Sequence, residues 1–140
     1  ISELFKELVE DYKERNIKIV SVAGGYSFAT DKKWSSFIEN YTHEDKKNKL
    51  TRSTLEVLSI VSYKQPVTRV EIDTVRGVDS SHIVRSLVEK RFIKPVGKKD
   101  VPGKPMMYGT TDSFLKHFGL NSLKDLKDYK SFGFENPSET

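Results

Sequence analysis

The sequence contains no cysteine. Disulfides and thiolate metal sites are therefore excluded, and the composition suits a reducing cytoplasm. No apolar run approaches the roughly 20 residues that a membrane-spanning helix needs, so no membrane partner is expected. No basic segment followed by an apolar one opens the chain, as a signal peptide would. The sequence begins on Ile1 rather than Met and reads as a fragment. His43, His82 and His117 are dispersed, with no carboxylate at metal-ligand spacing. Ser80-Ser81-His82 is a contiguous polar turn that suits a helix cap better than a converging triad. Gly97-Lys98-Lys99 lacks the spacing of a phosphate-cradling loop. No catalytic, metal-binding or cofactor-binding residue is assigned, and the chain is read as non-enzymatic.

Acidic charge is scarce in the middle. Residues 49–110 hold 12 Lys and Arg against 6 Asp and Glu, while the flanking segments are each slightly acidic. A nucleic-acid footprint must be sought first in that middle third.

The apolar residues Ile1, Leu4, Phe5, Leu8, Val9 and Tyr12 recur with helical spacing and predict an amphipathic helix over 1–15. Two β-prone runs follow, 17–22 and 26–30. Gly24-Gly25 between them predicts a hairpin, because both central turn residues can take positive φ. Trp34, Phe37, Ile38 and Tyr41 again have helical spacing. Residues 1–45 thus read as helix, hairpin, helix, and the polar stretch 46–50 as a linker.

A second unit is expected over 51–127, with a polar tail from 128 to 140 whose Tyr129, Phe132 and Phe134 are its only large apolar groups. Thr51 caps a helix whose apolar residues cover more than one face, predicting wide burial over 52–64. Pro66 ends it. Thr68 and Glu71 have capping-box spacing, with Val67 and Ile72 placed as a hydrophobic staple. Gly77 closes that second helix. Asp79 or Ser80 caps a third, which buries Ile83, Val84, Leu87 and Val88. Residues 92–96 and 106–108 are hairpin arms around a Lys-, Gly- and Pro-rich loop. Thr111 and Gly119 bracket a short helix, and Ser122 caps one more turn. Helix, turn, helix and basic hairpin spell a winged helix. The element order of 1–45 repeats that of 80–118, so the fold class is α+β, with tandem winged-helix domains, the first incomplete at its N-terminus.

A winged helix can read DNA or bind proteins. Arg85, Lys90, Lys98, Lys99 and Lys104 are the candidate nucleic-acid contacts, on the third helix and wing. Glu71, Asp73, Asp79 and Glu89 lie on the second and third helices and would oppose phosphates. The third helix also lacks the amide side chains that favour base readout. A DNA-binding transcriptional regulator therefore stands as the alternative to a protein-binding module. For partner contact the candidates are Leu4, Phe5, Leu8, Tyr12 and Trp34, because a half-domain with two apolar stripes needs cover, and Tyr63 on the widely apolar helix.

The strings QPVTRVEID, RGVDSS, GKKDVPGKP, YGTTDSFLKHFGLNSLKDL and VAGGYSFAT resemble the segregation and condensation protein B family over residues 1–127. The resemblance implies two winged-helix domains and a homodimer formed mainly through the first. It implies binding to the kleisin, segregation and condensation protein A, and through it to the structural-maintenance-of-chromosomes ATPase. It further implies a cytoplasmic, nucleoid-associated scaffold with at most indirect or weak DNA contact. Arg91 and Phe92 depart from the family, whose members often carry Gly and a smaller apolar residue there.

Overall fold

The computed structural model describes residues 2–42 and 50–126. Ile1, His43, most of the expected linker and the tail with Tyr129, Phe132 and Phe134 lie outside the described residues. No helix among them is long and apolar enough to cross a membrane.

The first block holds α1 (Ser2–Asp11), β1 (Ile17–Val22), β2 (Gly25–Thr30), a 3-10 turn (Lys32–Trp34) and α2 (Ser35–Thr42). Helix α1 stops short of the expected 15. Its apolar stripe ends at Tyr12, and beyond it only charged residues remain, with no packing to hold another turn. Lys13 and Arg15 instead close short turns onto Glu10 and Tyr12. The hairpin forms one residue away from the expected centre. Val22 pairs with Gly25, so Ala23 and Gly24 make the turn, at φ 52° and 72°, and Gly25 opens β2. Two positive φ values match the right-handed strand twist. Ala23 accepts that geometry at a cost of about 1 kcal/mol.

The second block is the winged helix. It comprises α3 (Arg52–Lys64), β3 (Val67–Thr68), α4 (Arg69–Arg76), α5 (Ser81–Glu89), β4 (Ile93–Lys98), β5 (Met106–Thr110), α6 (Asp112–Phe118) and a 3-10 turn (Leu123–Asp125). Thr51 caps α3 by accepting from the Thr54 N–H. Thr68 and Glu71 form the expected capping box, and Gly77 ends α4 at φ 72°. At α5 the outcome is split. Ser80 occupies the N-cap position without making a cap bond, because its hydroxyl accepts from Arg76 instead. The Asp79 carboxylate takes the Ser81 N–H, and Asp73 takes the Ser80 N–H at 2.8 Å. Helix α5 ends with Arg91 at φ 60°, while the Phe92 N–H reaches back to Leu87 O.

The wing arms are longer than the expected 92–96 and 106–108. A bulge between Pro95 and Gly97 lets β4 continue to Lys98. Strand β3 pairs Val67 with Tyr108 and Thr68 with Met107, giving the order β3-β5-β4. Gln65 pins this sheet to α3. Its Oε1 accepts from the Thr110 N–H at 2.7 Å, and its Nε2 donates to Ser62 O. Gly109 lies beneath that side chain, where an added Cβ would meet Gln65 Oε1 at 2.8 Å.

The core is Val57, Leu58, Val61, Val67, Ile72, Ile83, Val84, Leu87, Ile93 and Phe114. Every one of these belongs to the second block. Among the described residues of the first block none is fully buried. Helix α3 is less enclosed than its apolar girth predicts, because Leu55 and Tyr63 stay 41% and 43% exposed. Among the described residues two hydrogen bonds join the blocks: the Ala23 N–H donates to Leu120 O at 2.8 Å, and Ser21 Oγ to Asn121 Oδ1 at 2.9 Å.

Candidate partner-binding surfaces

In the first block α1 lies on the hairpin, and aromatic rings form the joint. Phe5 stacks on Tyr26 with centroids 4.4 Å apart, and Tyr12 tilts against Phe28 at 5.7 Å. The Arg15 guanidinium lies over the Tyr12 ring, 4.3 Å from its centroid. Trp34 donates its ring N–H to Asn16 Oδ1, tying the second helical stretch to the start of β1. From Trp34 at the end of the 3-10 turn, Phe37 and Tyr41 continue along α2 in successive ring contacts.

These contacts leave much apolar surface in water. Leu4 is 64% exposed, Phe28 65%, Phe37 66% and Tyr41 80%; Leu8 and Trp34 are each about two-fifths exposed. Covering one such side chain is worth roughly 1.5–3 kcal/mol. Of the six candidate contact residues, α1 thus carries Leu4, Phe5 and Leu8, with Tyr12 in the turn directly after it. Phe5 and Tyr12 are partly used inside the block, whereas Leu4 and Leu8 face outward.

Tyr63 belongs to another surface. Between α3 and α6 runs a groove of about 150 Å³, lined by Leu55, Leu58, Tyr63, Phe114, Phe118 and Leu126 with Ser59 and Ser62. Its apolar walls and paired serines suit the apolar face of a helix.

The basic candidates divide into tied and free. Lys99 is tied: its ammonium bonds Glu71. That bond, with the Thr68 N–H and hydroxyl, holds the Glu71 carboxyl down to about 2. Arg85, Lys90, Lys98 and Lys104 are exposed, with no acidic partner within ion-pair distance among the described residues. Of the acids expected to repel phosphate, Glu71, Asp73 and Asp79 are themselves engaged, while Glu89 is exposed at the end of α5. Arg69 pairs with Asp73 at 2.7 Å and Asp79 at 3.1 Å, and the Ser81 hydroxyl and N–H further lower the Asp79 carboxyl. Arg76, mostly buried, donates to the Ser80 hydroxyl and pairs with Glu56 at 3.4 Å. The α4–α5 corner is thus an internally neutralised web.

Sequence reasoning assigned no role to Gln65, Arg69 or Arg76, and took Asp73 only as an acid that would oppose phosphate. Their signal was faint: a polar residue before Pro66, and acid–base spacings within RVEID and RGVDSS. His82 is exposed on α5, and His117 packs edge-on against Phe92 at 5.0 Å. Among the described residues no group of three or more His, Asp or Glu could hold a metal ion.

The family model described as segregation and condensation complex subunit ScpB matches residues 1–129. Segregation and condensation protein B of Clostridium perfringens strain SM101 is 43% identical over 135 residues, covering 94% of this chain and 69% of its own. The protein of the same name from Syntrophotalea carbinolica is 43% identical over 134 residues, covering 94% and 68%. Among solved structures, ScpB from Mycobacterium tuberculosis is similar with a TM-score of 0.52 at 28% identity, covering 85% of this chain and 75% of that one.

Proposed function

The chain belongs to the segregation and condensation complex subunit ScpB family, and from that premise we propose that it acts as a non-enzymatic, nucleoid-associated subunit of a bacterial chromosome-condensing complex in the cytoplasm. In this reading it dimerises through the first block. It binds the kleisin, segregation and condensation protein A, and through it the structural-maintenance-of-chromosomes ATPase. Residues 1–45 are the rear part of one winged helix, 51–127 are a second, and 128–140 a tail. The order α1, β1–β2, α2 supports that reading by repeating α5, β4–β5, α6.

One observation carries the proposal: the first block leaves Leu4, Leu8, Phe28, Phe37 and Tyr41 exposed and fully buries none of its described residues. Apolar surface on that scale marks a protein contact. The α3–α6 groove is the second half of the reading, as a seat for a kleisin helix. The test is co-purification with kleisin segments, followed by hydrogen exchange. Slower exchange in α3 and α6 is expected, together with a dimer by light scattering. A monomer at tens of micromolar, or protection confined to the wing, would overturn it.

The free set Arg85, Lys90, Lys98 and Lys104 favours a second reading, a DNA-binding regulator. Sub-micromolar duplex affinity with sequence preference at physiological salt would establish that reading. Weak binding that fades steeply with salt would report charge alone.

A further inference from the structure

The two bonds between the blocks sit where each side has a group to spare. In the hairpin, Val22 pairs with Gly25, so the Ala23 N–H projects from the turn. Its partner is Leu120 O, 97 residues along the chain. On that side the acceptors are set in advance. Gly119 turns the chain out of α6 at φ 66°, and the Leu120 N–H returns to Leu115 O at 2.9 Å. The Leu120 side chain packs against the core. The Asn121 and Ser122 N–H groups both donate to the Asp125 carboxylate, at 2.7 and 3.0 Å. This fixes the backbone from which Asn121 Oδ1 meets Ser21 Oγ.

We propose that the β1–β2 turn and the α6 exit loop form a polar latch that sets the relative orientation of the two blocks. A pair of neutral hydrogen bonds at the surface makes a reversible joint rather than a fused interface. When closed, the latch presents the first block's apolar face and the α3–α6 groove at one set angle to any partner that spans both. Only this last consequence rests on the scaffold reading; the latch itself is tested with no partner present.

The chain has no cysteine, so an introduced pair is its only thiol pair. In the full chain, Ser21→Cys with Asn121→Cys is expected to oxidise to a faster-migrating monomer at least about tenfold faster than Ser21→Cys with Ser113→Cys, which places the second thiol at the far end of α6. In the unaltered chain, the Ala23 amide is expected to exchange about tenfold slower than its intrinsic rate. Asp125→Ala, which loosens the exit loop, should remove that protection while leaving the α3 amides slow. Equal oxidation rates, or an unprotected Ala23 amide in the unaltered chain, overturn the latch.

Discussion

Arg91 pays a conformational penalty that glycine would not. Its φ of 60° lies in the left-handed region, held by the helix-ending bond from Phe92 to Leu87 and by Thr111, whose hydroxyl donates to Arg91 O. Arg91→Gly should therefore stabilise the chain by about 0.5–1 kcal/mol, read as a higher urea midpoint. No change, or a loss, would mean that the arginine side chain offsets the strain. Gly109 shows the reverse constraint. Gly109→Ala forces its Cβ against Gln65 Oε1 and Val96 Cγ1, and should cost about 1–3 kcal/mol in the same measurement. Glu71 supplies a pH dependence. Its folded carboxyl sits at about 2, below its ordinary 4.5, so the stabilisation is full above about 4.5 and is lost as pH falls from there towards 2. With a side chain 43% exposed, solvent screening limits it to about 1 kcal/mol. Glu71→Gln should flatten that acid limb of a stability-versus-pH profile and leave pH 7–8 little steeper or shallower than before. Thr68 and Glu71 were legible from their spacing alone. Gln65 was not, because its partner Thr110 lies 45 residues away.

At the scale of elements, apolar periodicity found α1, α2, α3 and α5, since a stripe at 3.6-residue spacing has few other uses, while the capping residues Thr68, Gly77, Thr111 and Gly119 found α4 and α6. Strand β3 escaped, because two residues carry no alternation and its pairing with β5 is decided by the wing. The bulge at Pro95 and Gly97 escaped for a related reason: a Pro- and Gly-rich run reads as loop when its partner strand is not in view. Burial was legible in most of the second block, Leu55 and Tyr63 of α3 excepted, and not within the first. Pattern says which face of a helix is apolar; it does not say whether anything covers that face. The distinction gives a test. Leu4→Glu and Phe37→Ser alter groups 64% and 66% exposed, so the thermal unfolding free energy should move by no more than about 0.5 kcal/mol. Self-association should weaken at least about tenfold by sedimentation. A collapse in stability instead would make these residues structural.

Over the whole molecule, charge is organised by pairing more than by composition. Glu71, Asp73 and Asp79 consume Lys99 and Arg69, leaving the outer α5 and wing cations free. The net count of +4 conceals that separation, which arises from pairings between elements. Any duplex binding should accordingly lose about two units of salt slope when Lys98 and Lys104 are both changed to Gln, and should be insensitive to Lys99→Gln. A salt slope unmoved by the first pair would place the contact elsewhere. The wing sheet, finally, restricts how a partner can approach. Strand β4 is an outer strand interrupted by Pro95, which has no N–H to share, and by a bulge beside it, with Lys94 and Lys98 on either side. The opposite edge, β3, is two residues long. A visiting chain finds no continuous ladder on which to extend the sheet, so recognition here falls to side chains meeting side chains, and a disordered peptide gains nothing by arriving as a strand.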